Sequence, residues 1–123
     1  MSSYEIPGQT DSVEAAGDLT TSYYRFVKLA GATVVAIAAT TDVAYGILQN
    51  KPNRAGMAST VMLSGISRCF TSKAVPAGVE VFLGADGRVT DASGGTAVGI
   101  SRSAATAADQ LIAVQIKSLA AVA

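Results

Sequence analysis

The chain has no histidine and no tryptophan, and only one of its 123 residues is cysteine. Histidine is the most common general base in enzymes and a frequent zinc ligand. Its absence excludes catalytic dyads that use histidine, and most zinc sites. One thiol excludes an internal disulfide framework, and we expect Cys69 to be a small buried hydrophobic residue. The composition therefore predicts a protein that is not an enzyme, and an enzyme with no recognisable motif is the alternative.

No other group of residues has the pattern of a catalytic, cofactor or metal site. The nine carboxylates lie singly along the chain, apart from Asp86 and Asp91, which flank a predicted hairpin and are expected to have turn roles. The segment Gly94–Gly99 is rich in glycine, but no Lys-Ser or Lys-Thr pair follows it, so it does not predict a phosphate-binding loop. We predict no catalytic residue, no cofactor and no metal ligand.

Membrane and nucleic-acid partners are not expected either. The longest mostly apolar run, Leu29–Ala39, is far too short to cross a bilayer as a helix. The start Met1–Glu5 has neither a basic end nor an apolar centre, so we expect no secretory signal. The basic residues are dispersed and the net charge is zero, whereas binding to a phosphate backbone needs many clustered cations.

The charges are distributed unevenly along the chain. The first twenty residues contain four acidic residues and no basic one, and the remainder carries nine basic and five acidic residues, a net charge of +4. An acidic segment on a mildly basic body is suited to docking on a neighbouring molecule. Alternatively, these charges only keep a flexible tail soluble.

Part of the sequence recurs at a spacing of 53 residues. Ala44–Ile47 returns as Ala97–Ile100, and Val61–Leu63 aligns with Val114–Ile116 at the same offset. Such a period predicts two related small sheets in residues 28–63 and 81–116. Two unrelated strand–loop–strand units, matched by chance in a chain rich in alanine and glycine, are the alternative.

Short runs of β-branched and aromatic residues, separated by turn residues, predict an all-β fold with little helix. We expect a small β-sandwich or barrel in residues 21–123, and an extended N-terminal arm in residues 1–20, where no alternation is found. A bulge is expected at Ser64-Gly65 and one helical turn within Ser103–Asp109. The predicted strands are Tyr23–Leu29, Thr33–Ala38, Val43–Leu48, Thr60–Thr71, Val79–Leu83, Arg88–Thr90 and Ile112–Lys117.

Lys73 raises an alternative function. It lies in a turn between predicted strands of a chain with internal two-fold character, as the modified lysine of a lipoyl or biotinyl carrier domain does. Carrier domains flank that lysine with an acidic residue or methionines, whereas Ser72 and Ala74 stand here. A covalent mass increment on Lys73 would identify a carrier.

Three sets of short segments share a pattern of glycine, alanine and turn residues. The sets are Ala44–Leu48 with Pro52, Gly56 and Val61–Gly65; Ala74–Val81 with Asp86–Thr90; and Ala97–Ser101 with Ala104, Ala107, Ala108 and Val114. In this pattern, over about Tyr23 to Lys117, the chain resembles the capsid decoration, or cement, proteins of tailed bacteriophages. It departs from them at Asp109-Gln110, where the family has a glycine turn, and in the length of its acidic N-terminal segment.

The resemblance implies a β-tulip, or tulip-like barrel, on the outer surface of a mature phage head. Such a protein bridges neighbouring major capsid subunits and reinforces the shell against the internal pressure of packaged DNA. The implied partners are the major capsid protein and copies of the chain itself, with a trimer around a local three-fold axis as the expected arrangement. Another virion part, a tail or fibre component, is the alternative.

The predicted arm and one basic loop are the expected contacts with the capsid or with neighbouring copies. Because the charge split and the change in pattern both fall near residue 20, we expect the arm to determine attachment, and deletion of residues 1–18 to leave a folded body. The nine predicted contact residues are Tyr4, Glu5, Ile6, Pro7, Asp11, Glu14, Asp18, Lys51 and Arg54.

Overall fold

The computed structural model describes residues 4–117, which form two antiparallel sheets. In chain order the strands are β1 (Ile6–Pro7), β2 (Thr10–Glu14), β3 (Phe26–Ala30), β4 (Thr33–Ala36), β5 (Gly46–Leu48), β6 (Ala58–Met62), β7 (Gly65–Phe70), β8 (Glu80–Leu83), β9 (Val89–Thr90), β10 (Ala97–Ser101) and β11 (Leu111–Ile116). The one helix among these residues is a 3-10 turn at Thr20–Ser22. The predicted all-β class with little helix is confirmed. No helix within residues 4–117 reaches the length and apolarity that crossing a membrane requires.

The two sheets repeat the same arrangement of strands. The N-terminal sheet has the order β2-β6-β5-β3-β4, and the C-terminal sheet has the order β7-β11-β10-β8-β9, with β1 added outside β7. Each sheet curls until its last strand meets the end of its first. The amide of Ala16 donates to Val34 at 3.0 Å, and the amide of Ser72 donates to Val89 at 2.9 Å, each beside a parallel bridge.

Gly46 and Gly99 occupy corresponding positions in the two sheets. A side chain at Gly46 would collide with the main-chain oxygen of Met62, and one at Gly99 with that of Gln115, 53 residues further on. The adjacent pairs correspond as well, since Ile47 pairs with Met62 and Ile100 pairs with Gln115. At both places the absence of a Cβ atom allows two strands to approach closely.

Alternation along the strands of the N-terminal sheet creates two hydrophobic cores. Neighbouring residues point to opposite faces of a strand, so Ile47 enters one core while Leu48 enters the other. The larger core lies between the sheets and joins residues such as Phe26 to Ile112 and Val114. The smaller core lies on the other face of the N-terminal sheet. Its buried residues are Ala15, Leu19, Val27, Val34, Leu48 and Val61.

The predicted strand Thr60–Thr71 is two strands that belong to different sheets. β6 ends at Met62 in the N-terminal sheet, and β7 begins at Gly65 in the C-terminal sheet. Gly65 has φ 97°, a left-handed conformation, and a Cβ atom there would run into the main chain of β1. The change of phase at Ser64-Gly65 therefore marks a crossing between sheets, and the predicted bulge is wrong.

The segment predicted as a separate arm is built into both sheets. β1 pairs with the start of β7, and β2 pairs along its whole length with β6, from Thr10 opposite Met62 to Glu14 opposite Ala58. Ala15 and Leu19 are buried in the smaller core. This segment is extended in β1 and β2, bends at Ala16-Gly17, and is part of the body.

The helical turn predicted within Ser103–Asp109 is absent, since the described chain has bends and turns there. Ala105 instead exchanges main-chain hydrogen bonds with Val75, at 3.0 and 2.8 Å, and is buried. An isolated helix of one turn is only marginally stable. Pairing with the segment of Val75, which also buries Ala105, is therefore favoured over a helical turn.

Asp42 organises the loop between β4 and β5. Its carboxylate accepts the amides of Ala38 and Ala39 and the ammonium of Lys28, each at 2.9 Å. These donors, with the amide of Ala38 contributing most, hold the pKa of Asp42 below its usual value of 3.8.

Replacement of Asp42 by asparagine should lower the melting temperature at neutral pH. A carboxylate with a depressed pKa stabilises the fold above pH 3.8, and that stabilisation disappears as the pH falls through the lower folded-state value. The difference in melting temperature between wild type and Asp42→Asn should therefore shrink as the pH falls below 3.8. Glu14→Gln, at an exposed position, is the control, and a gap that stays constant with pH would contradict this role.

Candidate binding surface

The first four predicted contact residues, Tyr4 to Pro7, lie at the edge of the C-terminal sheet. β1 pairs with β7 through Ile6 opposite Ile66 and Pro7 opposite Gly65. Tyr4 and Ile6 are 36% and 58% exposed, so two large side chains on one short segment leave apolar surface uncovered. This edge therefore presents apolar surface that the fold itself does not cover.

Asp11 and Glu14 lie on β2, the edge strand of the N-terminal sheet, but they differ in their surroundings. Asp11 accepts hydrogen bonds from the Tyr45 hydroxyl and, at 2.8 Å, from the amide of Ser12. The hydrogen bond to Asp11 raises the pKa of Tyr45 to about 12. Asp11 is thus engaged within the fold, whereas Glu14 is exposed.

Asp18 fixes the turn that leads into the 3-10 helix. Its carboxylate accepts the amide of Thr20 at 2.9 Å and the hydroxyl of the same residue at 2.8 Å. The amide hydrogen bond is the larger cause of the lowered pKa of Asp18. The side chain remains exposed, so this carboxylate keeps one side open to a partner.

The loop that carries Lys51 and Arg54 packs against the acidic segment. The amide of Leu19 donates to Pro52 at 2.8 Å, and the amide of Gly56 donates to Ala15 at 2.9 Å. The structure therefore brings the segment 15–19 against the loop 52–56. None of Glu14, Asp18, Lys51 and Arg54 forms an ion pair with another residue of 4–117.

Lys51 belongs to a surface cluster that the sequence did not indicate. The rings of Tyr23 and Tyr24 stack at 4.0 Å between centroids, and the Lys51 ammonium lies 4.8 Å from the centroid of the Tyr23 ring. Arg68 lies on β7 two residues before Phe70, whose amide donates to the Tyr24 carbonyl at 3.0 Å, and interaction with the Tyr24 side chain raises the pKa of this guanidinium. We call these four residues, Tyr23, Tyr24, Lys51 and Arg68, the tyrosine column.

Tyr24 has a left-handed backbone, with φ 56°, which is rare for an aromatic residue. Hydrogen bonds to both sheets hold it in this conformation. Its amide donates to Leu48 at 2.9 Å, and its carbonyl accepts from Phe70 at 3.0 Å. The backbone of Tyr24 thus joins the two sheets, while its side chain is only partly buried.

Glu5 lies beside the tyrosine column. Its charge acts on both Tyr23 and Arg68 and raises the pKa of each, although interaction with the Tyr24 side chain is the main cause of both shifts. One of its carboxylate oxygens, Oε2, is buried and has no hydrogen-bond partner among residues 4–117. A buried carboxylate oxygen without a donor is unfavourable, so a donor supplied by a partner would stabilise it.

Cys69, Asp86 and Asp91 have structural surroundings in the fold. Residues 4–117 contain no group of three acidic or cysteine side chains placed to hold a metal ion. Cys69 is fully buried, and burial raises the pKa of its thiol far above the usual range, as expected for a structural residue. Asp86 pairs with Arg88 at 2.8 Å, and Asp91 pairs with Lys73 at 3.2 Å.

A shallow depression of about 280 Å³ lies on the C-terminal sheet. Gly99 and Ile100 line it, and Ile100 is 45% exposed. Its lining residues are Glu80, Gly99, Ile100, Gln115, Ile116 and Lys117. The polar side chains of Glu80, Gln115 and Lys117 border the apolar surface of Ile100 and Ile116 there.

No protein-family model and no curated protein matches the chain. A solved structure does match, with a TM-score of 0.66 over 90% of this chain and 95% of the other, at 15% sequence identity. It is the crystal structure of the head fiber gp8.5 N base of bacteriophage phi29. The chain shares its fold with this fiber base. At this identity the similarity extends to the fold alone.

Sequence reasoning missed Tyr23, Tyr24 and Arg68 as parts of the surface. Tyr23 and Tyr24 were included in a predicted strand, and Arg68 lies within another. Adjacent strand residues point to opposite faces, so the prediction separated the two rings. In the structure the strand begins later than predicted, since β3 starts at Phe26, and both tyrosines lie before it. Two adjacent tyrosines just after a polar segment were the available signal.

Proposed function

We propose that this protein is a structural component of a bacteriophage virion that binds the outer surface of the head. The observation that carries the proposal is the fold, which matches the base of a phage head fiber over nearly the whole of both chains. The resemblance of the Gly46, Pro52 and Gly99 segments to capsid decoration proteins points to the same particle.

The proposed partners are the major capsid protein and further copies of the chain. Binding between neighbouring capsid subunits would reinforce the shell against packaged DNA, and contacts that are weak singly become strong when each copy touches several subunits. A trimer around a local three-fold axis is the proposed arrangement, since closed rings are common among identical subunits. Neither nucleic acid nor membrane takes part in this proposal.

A second function is favoured by the same comparison. The matched structure is the base of a fiber. This chain could therefore support a fiber that projects from the head, instead of forming part of a layer that covers the head. Low-resolution electron microscopy of virions labelled with an antibody to this protein separates the two. Label on many compact knobs over the head would favour the capsid decoration function. Label at the foot of a few long projections would favour a fiber base, and label on the tails would contradict both functions.

Heads that carry this protein should resist rupture better than heads that lack it. A ligand that binds one state of an equilibrium stabilises that state, by about 2.7 kcal/mol per site at a free concentration one hundred times the Kd. Bare heads should therefore release DNA at a lower temperature or under milder chelation, as measured with a DNA-binding dye. Added protein should restore resistance.

The Asp91→Asn variant is the matched control in this assay. Its carboxylate lies in a turn beside Lys73, away from the proposed contacts, so the variant should restore resistance as well as wild type. Bare and decorated heads that rupture under identical conditions would contradict the cement function.

A further inference from the structure

We infer that the tyrosine column is the central contact of the head-binding surface, and that it recognises a protein segment bearing carboxylates. Lys51 and Arg68 would face those carboxylates, and the partner would donate a hydrogen bond to Glu5. This inference rests on the proposed function and deepens it, because it names the contact residues and the chemistry of the partner.

The conformation of Tyr24 is the first support. Its backbone role requires a left-handed φ and two main-chain hydrogen bonds, which glycine or asparagine would provide with less strain. Nothing in that role requires an aromatic ring. Strained residues held by their surroundings concentrate at sites of function. The ring of Tyr24 therefore has a role at the surface, where it stacks on Tyr23.

The cations of the column are the second support. Four of the basic residues in 4–117, Arg25, Lys28, Lys73 and Arg88, form ion pairs within the fold. The others, Lys51, Arg54, Arg68, Arg102 and Lys117, form none with residues 4–117. Of these, Lys51 lies over the Tyr23 ring, while Arg68 is two residues from Phe70, whose amide donates to Tyr24. Cations beside aromatic side chains and without a direct ion pair can bind carboxylates on a partner.

The acidic neighbours of the column favour a protein partner over a nucleic acid. Glu5 lies beside Arg68, and Asp18 is exposed next to Leu19, whose amide donates to Pro52 in the Lys51 loop. These carboxylates would repel a phosphate backbone, whose affinity depends on many cations acting together. A protein segment can offer carboxylates and hydrogen-bond donors at separate points, as this mixed surface requires.

The packing of the column makes it suited to bind strongly. Tyrosine and arginine are enriched among the few interface residues that carry most of the binding energy. The stack and the cation over the ring already restrict the rotamers of Tyr23 and Lys51, so less conformational entropy is lost on association.

The test compares variants of the full chain for binding to purified heads assembled without it. Tyr24→Gly removes the ring and relieves the left-handed strain, so it should stay folded yet bind roughly 30-fold or more weakly, in the range of hot-spot truncations. Lys51→Glu reverses an exposed charge, carries little risk to folding, and should weaken binding at least as much. Val43→Ser, at a residue 59% exposed and outside the column, is the control and should bind like wild type.

The outcomes separate this inference from the proposed function. Wild type that does not bind heads overturns both. Wild type that binds, with Tyr24→Gly and Lys51→Glu binding equally well, overturns only the inference. If Tyr24→Gly fails to fold, Lys51→Glu decides the result alone. Binding of a labelled DNA oligonucleotide that both variants lose would overturn the protein partner in favour of a nucleic acid.

Discussion

Deletion of residues 1–18 should unfold the protein rather than release an intact body from its partner. The deletion removes β1 and β2, the buried Ala15, and the bridge that joins the two ends of the N-terminal sheet at Val34. Small domains are stable by only about 5–15 kcal/mol, and the remaining β6 would expose an unpaired edge above the smaller core. The truncated chain should therefore lack a cooperative thermal transition by circular dichroism.

The control deletion removes residues 1–3 and leaves every described strand in place, so it should melt like the full chain. A truncation at residue 18 that still melts cooperatively, close to the full-length temperature, would mean that pairing of β2 contributes little. Truncation is thus unsuitable as a test of attachment, and point changes at exposed residues are needed.

Replacement of Gly46 or Gly99 by alanine should destabilise the protein strongly and to a similar extent. The added methyl group would press against the main-chain oxygen of Met62 or Gln115, and a backbone atom in a paired strand cannot move aside as a flexible side chain can. Overpacking of this kind costs about 1–3 kcal/mol, occasionally more. Urea titration followed by circular dichroism measures the loss.

Gly17→Ala is the matched control, because nothing lies within 4 Å of a Cβ atom there and the residue is not left-handed. It should leave stability unchanged or raise it slightly. A tolerated alanine at Gly99, or a large difference between the Gly46 and Gly99 variants, would contradict the correspondence of the two sheets.

The hairpin around Asp86-Gly87 was predictable because its determinants are local. Strand residues alternate on either side of a turn-forming pair, and the structure has this hairpin, with Leu83 paired with Val89 across a loop that contains Asp86-Gly87. The last strand was equally clear, since Ile112, Val114 and Ile116 share the buried face. The 53-residue period matches the strand order that the two sheets share. Similar side-chain patterns in the two halves favour pairing between equivalent strands.

The N-terminal strands were not predictable from their own residues. In β2, Thr10–Glu14, only Val13 is apolar, so the segment has no hydrophobic alternation and resembles a loop. Its position is set by β6, some fifty residues away, which offers a paired edge and a core that Ala15 and Leu19 complete. Such long-range pairing leaves little trace in a local pattern.

The candidate binding surface also has a part that could be predicted from the sequence and a part that could not. Composition alone predicted a protein without histidine-based chemistry, and turn residues alone placed Lys51 and Arg54 in an exposed loop. The tyrosine column depended on tertiary structure, because it joins the residues before β3, the loop after β5 and the middle of β7. Local sequence determined the strands and turns through side-chain alternation and backbone preference. Only the folded sheets, whose pairing spans the whole chain, decided which side chains meet.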